Sequence, residues 1–226
     1  MPGRRGQNRR ERARSGRAAT RSDGGTVSKV RLEAFSDGVL AVAITLLVLD
    51  LHLEPSREQS LLAQLLAAWP SFAAYVVSFL VIGVIWVNHH SILRLTTAVD
   101  RLLLFWNLIL LMFVTAIPFT TSTLSGALVE GDSADIRVAA VLYGGACTGF
   151  AVAFTFLYGR ITLGAVRAGA MQPPARRAAL LRFGAGTLFY PLLTVVGVLY
   201  APAMLVGFAA LSVYYLFNQT GTVESA

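Results

Sequence analysis

Long apolar runs that carry no charge limit this chain more than any other feature. Between residues 32 and 217 they recur in blocks close to the roughly 20 residues a helix needs to cross a hydrocarbon core. In lipid the backbone has no water to bond with, so a spanning segment that is not part of a closed barrel must be a helix. Apolar residues make up 55% of the 226 and charged ones 14%, against roughly a quarter charged in soluble domains. A soluble fold of this size could not be wetted by so few charges.

Six segments meet or approach the length requirement: 32–53, 64–88, 102–124, 138–158, 183–200 and 202–217. The last two come from one charge-free block, 183–223, which is too long for a single crossing and is punctuated by Pro191, Gly197 and Pro202. A break at Ala201 and Pro202 divides it into two short helices. The expected class is an all-α integral membrane protein with six transmembrane helices per subunit, formed by residues 30–220.

Residues 1–29 form a different region. They hold eight Arg and Lys29 against Glu11 and Asp23, which accounts for the whole net charge of +7. So basic and apolar-poor a segment cannot bury enough surface to fold, and it reads as a disordered cytoplasmic tail facing anionic headgroups. It has no interleaved aromatics to stack bases, so nucleic acid is not an expected partner. An acid-poor, Arg-rich start is also compatible with an organelle transit peptide. Cys147 is the only cysteine, which excludes an intrachain disulfide or a multi-cysteine metal cluster.

The basic residues also set an orientation. With the N-terminus inside, seventeen of the nineteen Lys and Arg fall on the cytoplasmic side, and only Arg57 and Arg137 fall outside, among Glu54, Glu58, Glu130, Asp132 and Asp135. Both termini are therefore expected in the cytoplasm of a multi-pass cell-membrane protein.

Ionisable groups inside spans are costly and need partners. Arg31-Leu-Glu-Ala-Phe35-Ser36-Asp37 opens the first span, Trp86-Val-Asn88-His89-His90 closes the second, and Asp100-Arg101 opens the third with Asn107 two turns deeper. This topology brings the three sets to one depth, where they read as hydrogen-bonded glue between helices or as a proton relay. His89 and His90 are adjacent, so they point about 100° apart and do not readily share one ion. No metal site and no cofactor are expected.

A helical wheel divides the first span. With Val42 at zero, Thr45, Leu46, Leu49 and Leu53 fall within about 60°, whereas Ser36 and Asp37 lie about 120° and 140° away on the other side. If the polar pair faces its own bundle, the Val42 stripe faces elsewhere: toward lipid, a neighbouring subunit or a symmetry axis.

At these residues the chain resembles the transmembrane protein 175 family, the potassium channels of endolysosomes and their prokaryotic relatives. Arg31, Phe35, Ser36 and Asp37 complete its Arg-x-x-x-Phe-Ser-Asp signature, and Trp86-x-x-His89-His90 and the six-span layout are similar over residues 30–217. The resemblance implies a homotetramer whose first helices line a central potassium pore. It implies a constriction at Val42, where relatives carry Ile or Leu, with Thr45, Leu46 and Leu49 beyond it. Leu53, Asp50 and Glu54 would then stand at the outer mouth. The chain has no Thr-Val-Gly-Tyr-Gly filter and no Arg ladder. The expected partners are potassium ions, the bilayer and three further copies of the chain. No enzymatic activity is expected, because no nucleophile and base or metal-ligand set has the required spacing. The alternative function is a proton-coupled transporter using Asp37, His89 and Asp100.

Overall fold

A computed structural model describes residues 28–51, 60–96 and 98–217, with the Asp50 side chain excepted. The basic segment before Ser28, together with Leu53 and Glu54, lies outside the described residues. Among the described residues seven α-helices follow one another: α1 Lys29–Leu46, α2 Leu61–Ala67, α3 Trp69–Arg94, α4 Arg101–Glu130, α5 Ser133–Arg167, α6 Pro173–Leu199 and α7 Ala201–Phe217. A 3-10 turn, Leu47–Asp50, extends α1. Five helices are long and apolar enough to cross a membrane: α1 with its extension, α3, α4, α5 and α6. At 17 residues α7 is apolar but shorter.

Local chemistry sets most of the ends. Ser28 and Asp100 cap α1 and α4 by accepting from Arg31 N and Leu103 N. Asp132 caps α5, and the Asp135 and Ala134 backbone N–H groups hold its carboxyl below the usual carboxylate range. Three span boundaries differ from the sequence expectation. The second span does not begin at residue 64, because Pro70 lacks an N–H and starts a new helix; residues 61–67 form the separate α2. The fourth and fifth spans begin well before their apolar cores, so α5 reaches 35 residues, about 50 Å at 1.5 Å per residue. Pro191 stays inside α6 without ending it, whereas the break at Tyr200 falls where Pro202 requires it.

α1 packs on α3 and α4, α4 packs on α5, and α6 packs chiefly on α5 and α7. The core between them includes Leu40, Leu47, Ile82, Leu110, Ile117, Tyr143, Leu157 and Phe208, all essentially inaccessible. Small residues let α5 come close to its neighbours. A Cβ added at Gly144 would collide with Thr194 of α6, and one at Gly149 with Phe113 of α4, whereas one at Gly145 would meet nothing within 4 Å. Gly144→Val is therefore expected to cost about 1–3 kcal/mol through overpacking and to lower the thermal midpoint of the detergent-solubilised protein. Gly145→Ala should leave the midpoint unchanged or slightly raised.

Candidate functional site

The first helix has two faces. Leu32, Ser36, Leu40 and Ala43 are buried against α3 and α4. Ser36 is the polar member, and its place is fixed by Asn107 of α4. Asn107 Nδ2 donates to Ser36 Oγ at 3.0 Å, which turns Asn107 Oδ1 toward His89 Nε2 of α3 at 2.7 Å. With that oxygen as acceptor, His89 must donate from Nε2. Three helices are thus pinned by one chain of hydrogen bonds with no exposed member.

The other signature residues surround this pin. Trp86 Nε1 donates to Asp37 Oδ1 at 3.0 Å, tying α3 to α1 a second time. Asn88 is buried but does not join the chain; its Nδ2 donates to Val84 O at 2.9 Å. His90 is exposed, turned away from His89 as adjacency requires. Asp100 does not join the network either: Oδ1 accepts from Leu103 N, and Oδ2 pairs with Arg160 of α5. Lys29 Nζ donates to Arg94 O at 3.2 Å, satisfying a carbonyl at the C-terminus of α3.

Arg31 and Phe35 belong to the opposite face of α1. Both are exposed, and they lead into an outward stripe of Gly38, Val42, Thr45, Leu46 and Leu49. Phe35 is 54% exposed, Val42 57% and Leu49 71%, and a Cβ on Gly38 would touch nothing. The signature therefore splits, Ser36 and Asp37 inward, Arg31 and Phe35 outward. Thr45 Oγ1 donates its proton to Val42 O at 2.9 Å. The hydroxyl proton is used within the helix, so the oxygen presents only lone pairs to whatever lies in front of the stripe.

Two features were not legible in the sequence. The Asp100–Arg160 pair joins residues sixty apart with no local motif. A second polar pin sits toward the other end of the bundle, where Ser78 Oγ bonds Thr121 Oγ1 at 2.7 Å and Tyr143 OH at 2.8 Å. Ser78 and Tyr143 are lone hydroxyls in apolar runs and Thr121 is one of four successive hydroxyl residues, patterns indistinguishable from side chains bonded to their own helix.

Residues 31–118 match the family model described as endosomal/lysosomal potassium channel TMEM175. A potassium channel of Streptomyces collinus is 44% identical over 191 residues, covering 84% of this chain and 92% of that protein. The human endosomal/lysosomal proton channel TMEM175 is 38% identical over 101 residues, 41% of this chain and 20% of that protein. A crystal structure of a lysosomal potassium-selective channel TMEM175 homologue from Chamaesiphon minutus superposes with a TM-score of 0.69 at 32% identity, covering 83% of this chain and 96% of that one.

Removing the centre of the pin should cost more than removing its end. Asn107→Ala strands both Ser36 and His89 and is expected to destabilise by about 1–3 kcal/mol, with Ser36→Ala nearer 0.5–1 kcal/mol. Thermal unfolding of the two variants and their double mutant checks this: the double should cost clearly less than the sum of the singles. His90→Ala should change nothing.

Proposed function

Because the chain belongs to the TMEM175 family, we propose that it is a potassium channel of the cell membrane, conducting along the axis of a homotetramer lined by the outward stripe of α1. The observation that carries this reading is the stripe itself. Arg31, Phe35, Val42, Thr45, Leu46 and Leu49 share one exposed face, while the polar pin holds the opposite face against α3 and α4. One helix face encloses no lumen, so a pore needs several copies around an axis. The sixth crossing is α7, which at 17 residues can span with help from flanking residues. Six crossings put both termini on the cytoplasmic side with the basic residues.

Val42 forms the constriction in this reading. A ring of aliphatic side chains passes ions only when it widens and wets, and it favours the cation that sheds water at lower cost, potassium over sodium. One turn on, four Thr45 oxygens offer lone pairs where hydration is being lost. Their protons are held by Val42 O, so they do not repel the cation. Asp50, Leu53 and Glu54 follow in the sequence, and in this reading the two carboxylates concentrate cations at the outer mouth. No cofactor enters this mechanism.

The proton-coupled transporter is less well supported by the same geometry. A relay needs titratable groups in succession, but His89 ends on Asn107 and Ser36, while Asp100 is occupied by Arg160. Both arrangements favour hydrogen-bonded glue.

Potassium efflux from liposomes containing the purified protein, with an ionophore carrying protons back, tests the channel. The wild type should pass potassium much faster than sodium. Thr45→Val keeps the shape and removes the oxygen, and is expected to lower the potassium to sodium ratio several-fold, whereas Thr45→Ser should retain it. Equal ratios in all three would remove Thr45 from the pore, and absence of flux from a folded tetramer would remove the channel. Val42→Cys should be blocked by a water-soluble thiol reagent, a readout that the buried Cys147 does not confound.

A further inference from the structure

A second exposed face lies on α6. Of its 27 residues only Gly186, Tyr190 and Gly197 are buried, and its main contacts are with α5 and α7, with none of comparable extent to α1. Its outer side carries a groove of about 430 Å³ lined by Leu180, Leu181, Gly184, Ala185, Leu188, Phe189 and Leu192. Leu181 and Leu188, 73% and 75% exposed, form its two ridges, and the small residues Gly184 and Ala185 form the dip between them.

The groove leads to a charge. At 100° per residue, Arg177 lies within about 80° of Leu181, Gly184, Ala185, Leu188 and Leu192, so it stands at the head of the same face. Arg177 is exposed and makes no ion pair among the described residues. Its neighbour Arg176 turns inward, donating to Gly159 O of α5 at 3.5 Å, and so fixes the first turn of α6. No Asp or Glu occurs in the sequence between Asp135 and Glu224, so α6 carries only basic charge, with Arg176 and Arg177 in its first turns. At 1.5 Å per residue α6 is about 40 Å long, which leaves its first turns beyond a hydrocarbon core of about 30 Å, at headgroup depth.

We propose that this face binds an anionic phospholipid, its phosphate on Arg177 and one acyl chain along the Leu181–Leu192 groove over Gly184 and Ala185. Arginine suits the phosphate because its planar fork donates to two oxygens at once. The positive end of the α6 dipole adds to the attraction. An α6–α6 contact between copies fits this face poorly, because it would bring two Arg177 side chains together with no carboxylate on α6 between them. The proposal rests on the membrane-spanning reading and is independent of the pore.

Native mass spectrometry of the full-length protein in detergent, titrated with phosphatidylglycerol or phosphatidylcholine, tests it. The wild type should retain phosphatidylglycerol preferentially. Arg177→Gln should weaken that retention about five-fold, the weight of one arginine at an anionic surface, and leave phosphatidylcholine unchanged. Gly184→Leu, which fills the dip, should weaken both lipids; a Cβ at this position has only Thr155 within 4 Å, at 3.9 Å. Inorganic phosphate at millimolar concentration should not compete; competition would mark a free-anion site and overturn the lipid. Equal retention of the two lipids by wild type, or no effect of Arg177→Gln, would also overturn it. So would efficient disulfide formation between copies carrying Leu188→Cys, which would give the face to a neighbouring subunit. Lipid retention is read without ion flux, so its failure and that of the channel are separate results.

Discussion

An amide buried in hydrocarbon is costly unless both of its ends are bonded, and Asn107 satisfies both ends at only one rotation of α1. Its Nδ2 needs Ser36 in front of it, and its Oδ1 needs His89. Turning α1 by one residue, about 100°, would carry Ser36 away and leave the Asn107 amide N–H without its partner. Single hydrogen bonds between membrane helices contribute little, on average about 0.6 kcal/mol. Their weight here is in excluding alternatives, because every other rotation adds unsatisfied polar groups while apolar packing alone discriminates weakly among aliphatic faces. Leu32, Leu40 and Ala43 then follow Ser36 into the core, and Val42, Thr45 and Leu49 are left outside. The composition of the outward face is thus a consequence of one amide on a different helix.

This dependence explains how much could be read without coordinates. Within a helix the rotation per residue is fixed, so the wheel separated Ser36 from the Val42, Thr45, Leu46, Leu49 stripe correctly, and only the identity of the inward side had to be supplied. The polar residue gives it, since Ser36 and Asp37 must have partners in lipid. Trp86, His89 and Asn107 could be placed at the same depth by topology alone. What topology cannot give is pairing at one depth. Asp100, expected in the network, serves instead as the cap of α4 and the partner of Arg160, a residue in the polar end of a long apolar helix. Helix ends were misjudged for a related reason. Hydropathy marks where the chain enters lipid, but α5 and α6 keep their hydrogen bonding well past that boundary, and the split at Pro70 is a backbone event inside an apolar run.

The outward faces of α1 and α6 show why exposure alone does not identify a pore. Both are apolar, and both lack partners within the subunit. The α6 face is built of large leucines over a Gly-Ala dip and carries its charge only at the headgroup end. Nothing along its hydrocarbon portion offers an oxygen, so water has no partner there and acyl chains do. The α1 face mixes Gly38, Val42 and Thr45 with leucine, and presents a hydroxyl oxygen in the last third of the span, its proton already committed to the backbone. Toward lipid that oxygen gains nothing. Toward a shared axis, copies of it converge on the same point, and a set of acceptors with no opposing donor suits a cation that is losing its water. The small side chains matter in the same way. Bulky residues on every turn would close an axis formed by several helices, whereas in the proposed tetramer Gly38 and Val42 leave room whose width an aliphatic ring could vary. The chain thus presents one face that only hydrocarbon satisfies and another that, in the proposed tetramer, an ion satisfies better, and there the polar pin between α1, α3 and α4 turns the second face to the axis.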